Sequence, residues 1–159
     1  MKKMIKATEI HQTMKLRQMG ADVEVINSKL CYVNFKINNI EVAYVYNINK
    51  KDEYFLERIK PYPLPLKAFA NEESVVETIA IDIDQFKNLA ASNNLTDLIE
   101  FLKQMKLAIN KFEDLILYYN VSKEDINEFQ SILTSLNKKI DHSKDQSERL
   151  YFKKNPDFL

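Results

Sequence analysis

At 159 residues, with 23 Lys/Arg against 23 Asp/Glu, the chain carries no formal net charge, which argues against the non-specific nucleic-acid binding that a basic excess drives. Cys31 is the one cysteine, so no intrachain disulfide framework exists; a chain this long needs none, because it buries roughly 68–70% of its unfolded surface. The single glycine, Gly20, excludes a phosphate-cradling loop of the P-loop or dinucleotide type.

The charge balance hides an asymmetry: residues 1–67 hold 12 Lys/Arg against 7 Asp/Glu, and residues 68–159 hold 11 against 16. Opposite halves attract within one fold or between subunits. Lysine outnumbers arginine 20 to 3, the bias of an AT-rich genome such as that of a low-GC bacterium or its phages. No apolar run approaches the ~20 residues that span a bilayer. The start, "MKKMIKATEIHQTMKLRQMG", lacks the apolar core of a signal peptide. The expectation is a cytoplasmic protein.

The first predicted element is a helix from about Lys3 to Met19, with Ile5, Ile10 and Met14 on a loose apolar face and Gly20 as left-handed C-cap. "DVEVI" (22–26) reads as a weak strand. The period then changes to two. "KLCYVNFKI" and "IEVAYVYNI" flank Asn38-Asn39, which suits a two-residue type I′ turn. Position i then pairs with 77 minus i, so Ile37 faces Ile40, Phe35 faces Val42, Val33 faces Tyr44 and Cys31 faces Tyr46. One whole face is apolar, as a core face should be.

A second turn at "NKKD" (49–52) leads into "EYFLERIK" and pairs Tyr46 with Phe55, Tyr44 with Glu57, Val42 with Ile59 and Val45 with Leu56. That register puts Glu57 on the apolar face, where a carboxylate needs a hydrogen-bond donor or a positive partner. The run "RIKPYPLPLKAF" places Pro61, Pro63 and Pro65 at alternate positions. Their missing donors lie on one side of an extended segment, so they suit an edge strand or extended connector. A polyproline groove ligand would want three-residue spacing instead.

Residues 72–91 carry two signals: Ile79, Ile81 and Ile83 alternate, which favours a strand near 76–83 and a short helix capped by Asp84. Val76, Ile79, Ile83, Phe86 and Ala90 also fit a helical stripe. From Leu95 the apolar positions 95, 98, 102, 105, 109, 112, 116 and 119 alternate spacings of three and four, a heptad seam. Leu102 and Ile109 are expected to be fully buried, and Ile99, Leu115 and Leu117 widen the seam. Ser122 with Asp125 forms a capping-box pattern, opening a helix that carries Ile126, Phe129, Leu133, Leu136 and Ile140. The two helices make an antiparallel hairpin, followed by the apolar tail "RLYFKKNPDFL".

The predicted fold class is α+β: an N-terminal helix, an antiparallel meander of four to five strands, and a C-terminal αα-hairpin. It divides into a helix-plus-sheet region (1–91) and a hairpin with its tail (92–159), expected to form one folded unit. A helix followed by strands to Lys60 resembles the secretion-chaperone type of fold, and no functional residue carries across from it.

Catalytic constellations are absent from the pattern. His11 and His142 have no metal-ligand spacing around them, and Cys31 sits on the predicted core face, where a thiol is usually inert. Asp82 and Asp84 form a candidate pair for Mg²⁺, and Glu57 a candidate buried acid; these carry a weak enzyme alternative. The second sheet face gathers Tyr32, Asn34, Lys36, Tyr54, Leu56 and Arg58, the mixture of a partner- or ligand-facing surface.

The functional expectation is a non-catalytic interaction module: a small regulator, inhibitor or chaperone-like binder, encoded by a phage or accessory gene. No metal or cofactor is expected. The partner is a protein, and the chain forms a homo-oligomer, a dimer, through Ile99, Leu115, Leu117, Tyr151, Phe152 and Phe158. The alternative is a binder of a nucleotide-like ligand, held between tyrosine rings and Lys36 or Arg58.

Overall fold

Four strands and four helices make up the computed structural model, which describes residues 2–25, 29–48, 53–92 and 94–159, with side chains from residue 10 onward. The fold is α+β. Helix α1 (Lys2–Gln18) is followed by β1 (Leu30–Ile37), β2 (Ile40–Ile48), β3 (Tyr54–Lys60) and β4 (Leu64–Phe69), then by α2 (Glu72–Ala90), α3 (Leu95–Tyr118) and α4 (Lys123–Gln146).

Helix α1 ends as its glycine predicts. Gly20 takes φ +92, its N–H donates to the Arg17 carbonyl, and the Ala21 N–H reaches back to Leu16. That pair of bonds is a Schellman cap. Ile5 of the expected apolar face lies outside the described side chains. Residues 22–25 of the expected early strand have no regular structure, and Ile26 lies outside the described residues.

The sheet is a meander in the order β1-β2-β3-β4. The β1–β2 register is the expected one at every pair, from Leu30 opposite Asn47 to Ile37 opposite Ile40. Its loop differs in one detail. Asn38 alone is left-handed, at φ 52, whereas a type I′ turn needs both central residues there.

The β2–β3 register is displaced by one residue from expectation. Tyr44 faces Arg58, Val45 faces Glu57 and Tyr46 faces Leu56, and a bulge intervenes before Ala43 meets Lys60. Five residues separate the last pair, Ile48 and Tyr54, rather than the four of an "NKKD" turn, whose own residues lie outside the described ones. A one-residue shift exchanges the two faces of a strand. Leu56 and Arg58 therefore point to the covered side, and Glu57 to the open side.

The proline run spans the β3–β4 connection and enters the edge strand. Pro61 follows a cis peptide bond, and Pro65 lies in β4 opposite Glu57, where edge proline is tolerated. Beside it β4 carries one extra residue, since Phe55 pairs with Ala68 but Glu57 with Pro65.

Residues 72–90 form one helix, not a strand and a short helix. Asn71 caps it, its Oδ1 accepting the Ser74 N–H at 2.8 Å, and Glu72 and Glu73 complement the positive end of the dipole. Val75, Ile79, Ile83 and Phe86 line its buried face. This stripe closes on Ile37, Val42, Tyr44, Leu56 and Phe69 from the sheet, and the two sets form the core. The Ile79–Ile81–Ile83 alternation is incidental to that stripe. Asp84 sits inside the helix and does not cap it.

Candidate functional site

The displaced β3 register builds a densely polar cluster on the covered face. Arg58 is 4% exposed. Its Nη1 donates to both carboxylate oxygens of Asp82 on α2, each at 2.8 Å. The Tyr44 hydroxyl donates to Asp82 Oδ2 at 2.6 Å. The guanidinium lies 4.6 Å from the centroid of the Tyr62 ring and 4.9 Å from that of Phe86, within cation–π range. Burial first, and then the Asp82 carboxylate, hold the Tyr44 phenol far above its ordinary value. Arg58 Nε is buried without a partner. The Asp82 carboxylate accepts from both cation and phenol, so the cluster ties β2 and β3 to α2, with 16% of the Asp82 side chain left exposed.

The other candidate acids are placed away from it. Glu57 is half-buried on the open face of the sheet, opposite Val45. Asp82, paired with Arg58, is not held beside Asp84 as a joint cation site. Asp84 pairs with Lys153 of the tail, and that lysine's hydrogen bond and charge hold the Asp84 carboxyl below its usual range. His11 and His142 are exposed, and Cys31 is half-buried. Tyr46 donates to Glu72 Oε1 at 2.6 Å. The Cys31 thiol beside it, then Glu72, raise the Tyr46 phenol. Among the described residues no three His, Cys, Asp or Glu side chains are grouped to hold a metal.

The six residues expected on one sheet face divide between two. Tyr32, Asn34 and Lys36 are exposed on the open face, where Lys60 also pairs with Glu41 at 2.6 Å. Tyr54, Leu56 and Arg58 belong to the covered face, with Leu56 wholly buried. The register shift is the physical reason.

Helices α3 and α4 form the expected antiparallel hairpin, in which Phe112 meets Phe129 edge-to-face at 5.1 Å. Ser122 accepts the Asp125 N–H at 3.0 Å, and its hydroxyl donates to Asp125 Oδ2 at 2.7 Å. The Ser122 N-cap is therefore present, but Asp125 accepts from the Ser122 hydroxyl rather than from its backbone N–H as in a full capping box. The seam, however, is open. Leu102 is only half-buried and Ile109 is 61% exposed, which corrects the expectation that both are fully buried. Two helices cover only one side of each other's apolar stripe, and the strands and α2 supply no second layer over it.

Of the expected contact residues, Ile99 is buried within the single chain, Leu115 and Tyr151 are half-buried, and Leu117, Phe152 and Phe158 are exposed. The tail lies along the end of α2. Leu150, Tyr151, Phe152 and Lys153 with Asp84, Lys87 and Asn88 line a groove of about 330 Å³, and Asn88 Nδ2 donates to the Leu150 carbonyl at 3.4 Å. Sequence reasoning missed Tyr62 and Phe86 as the wrapping of an internal cation and Tyr44 as a donor to its carboxylate; no local signal marks them, because the contacts join stretches distant in sequence.

No helix among the described residues is long and apolar enough to cross a membrane. No protein family, curated protein or solved structure matches this chain.

Proposed function

We propose that the chain is a non-catalytic protein-interaction module, a small cytoplasmic regulator, inhibitor or chaperone-like binder that acts as a homo-oligomer. The observation that carries this reading is the helical hairpin, whose heptad seam stays open to solvent along both helices, from Leu98 to Ile116 and from Ile126 to Ile140. Exposed apolar patches beyond a few hundred Å² mark contact sites in folded proteins. The internal pairing of the Arg58–Asp82–Tyr44 cluster supports the non-catalytic part, since the Asp82 carboxylate is held by both the Arg58 Nη1 and the Tyr44 hydroxyl.

The test compares the full chain with an Ile109→Asp/Leu133→Asp variant, both by sedimentation and by titration of candidate partners. The reading requires association by the wild type that the variant loses while its circular dichroism is retained. Thermal stabilisation by nucleotides, lost on Tyr32→Ala or Lys36→Ala, with no association at tens of micromolar, supports the ligand-binding alternative and removes this one.

A further inference from the structure

The seam does not say by itself what covers it; the edge beside it does. The Phe112–Phe129 contact aligns the hairpin so that α3 and α4 residues at one level have numbers adding to about 241. On α3 the residues that precede every second seam position (102, 109 and 116) are Phe101, Ala108 and Leu115; on α4 those that precede 126, 133 and 140 are Asp125, Ile132 and Lys139. Ile132 is 65% exposed and Phe101 also faces solvent, while Ile99 across the α3 stripe is buried. The edge holding Phe101 and Ile132 is therefore the outward one.

Both triplets are complementary to themselves when reversed. Laid antiparallel on a second copy about Ala108, α3 sets Phe101 against the other copy's Leu115, with the small alanine at the crossing. Laid antiparallel about Ile132, α4 sets Asp125 against the other copy's Lys139. The two centres, Ala108 and Ile132, lie at one level of the hairpin within a residue, so a single two-fold axis serves both. Edge charges beside an apolar seam are what set partner and orientation in helical assemblies. A parallel arrangement would instead put Asp125 on Asp125 and Lys139 on Lys139.

The wider charge pattern agrees. Residues 101–112 and 129–140 hold five lysines and no carboxylate, whereas residues 113–128 at the loop end hold five carboxylates and one lysine. An antiparallel pairing about this axis lays residues 113–118 over 98–103 and residues 123–128 over 136–141 of the other copy, so the acidic loop end meets Lys103, Lys138 and Lys139 alongside Glu100 and Asp141. The area is comparable to what a dimer needs: about ten apolar side chains of the seam and its outward edge at roughly half exposure leave on the order of 900 Å² on one hairpin, against the ~800 Å² per partner of a standard stable interface.

We infer that two copies of this chain close their α3–α4 hairpins into an antiparallel four-helix bundle on a two-fold axis passing by Ala108 and Ile132. This deepens the interaction reading above and rests on it. Closed two-fold contacts are isologous, so each edge meets its own copy, and the bundle supplies the second layer the seam lacks.

The experiment uses the full chain in a Cys31→Ser background carrying one new cysteine, with a short bis-maleimide cross-linker at micromolar protein. Ile132→Cys sits at the axis and gives a cross-linked dimer. Lys139→Cys alone does not, because seven residues at about 1.5 Å each put it roughly 20 Å from its own copy. Cross-linking of both positions overturns the antiparallel arrangement while leaving an interaction module intact, and a chain that sediments as a monomer overturns the dimer itself. Charge reversal gives a second readout. Lys139→Asp weakens the dimer roughly tenfold or more, through two like-charge pairs per assembly, and adding Asp125→Lys restores it. Asp125→Lys removes the Ser122 hydroxyl's bond to Asp125 Oδ2 but keeps the backbone N–H bond to Ser122 Oγ, so absence of rescue in a variant whose circular dichroism is retained refutes the proposed pairing.

Discussion

Replacing Arg58 by methionine tests what holds the sheet to α2. The substitution removes both Nη1 bonds to Asp82 and the stacking between Tyr62 and Phe86, and leaves a carboxylate whose side chain is only 16% exposed. Breaking a buried pair at one partner costs about 3–5 kcal/mol. The residual solvent access of Asp82 and its bond from Tyr44 place Arg58→Met at the lower end, about 3 kcal/mol. Asp82→Asn strands the guanidinium and costs about the same. In the double variant no charge is unpaired, the amide oxygen introduced by Asp82→Asn still accepts from Tyr44, and methionine packs between two rings, so the loss falls to about 1–2 kcal/mol. Urea unfolding at one fixed protein concentration, with unchanged m-value, measures all four members of the cycle; fixed concentration matters because self-association shifts apparent stability. If the single losses simply add in the double variant, or each lies below about 1 kcal/mol, the cluster is not the lock described.

The tail contact gives a pH prediction. Asp84 is held below its ordinary value of 3.8 by Lys153, so its stabilising effect is full above that value and is lost as pH falls through the lowered one. Lys153, raised above 10.5 by the same pair, loses its contribution as pH climbs past the raised value. Ring resonances of Tyr151 followed by NMR should report tail release on the acid side, and Asp84→Asn should abolish that step; an acid transition unchanged in the variant counts against the contact. Ser122→Ala removes the α4 cap and costs about 1 kcal/mol, with faster amide exchange over 124–126; equal exchange in the two proteins would show the cap to be idle.

Much of the architecture is readable from residue order, and the unreadable parts have physical causes. The β1–β2 register is legible because every pair on the core face is apolar and a two-residue loop allows one alignment. Strand β3 is different. Phe55, Glu57 and Ile59 form one face and Tyr54, Leu56 and Arg58 the other, each with two apolar members and one charge. Alternation cannot choose between them; the choice falls to Asp82, two dozen residues away. In α2 the alternating isoleucines imitate a strand, and the local signal against it is Asn71 with Glu72 and Glu73, a helix start. The heptad seam of α3 is plain in the sequence, but periodicity reports that a face is apolar, not that the same chain covers it.

The Arg58–Asp82 pair also guards the alignment of β3 as the chain collapses. Sliding the strand back by one residue would bring Glu57 to the place of Arg58, so that two carboxylates met in a water-poor site between sheet and helix. Such like-charge crowding in low dielectric is strongly unfavourable unless one acid takes up a proton. The misaligned hairpin would then be kept from docking α2 at neutral pH, and would leave the apolar stripe of Val75, Ile79, Ile83 and Phe86 in water. One ion pair thus discriminates between two strand alignments that hydrophobicity leaves nearly degenerate, by making only one of them compatible with closing the core.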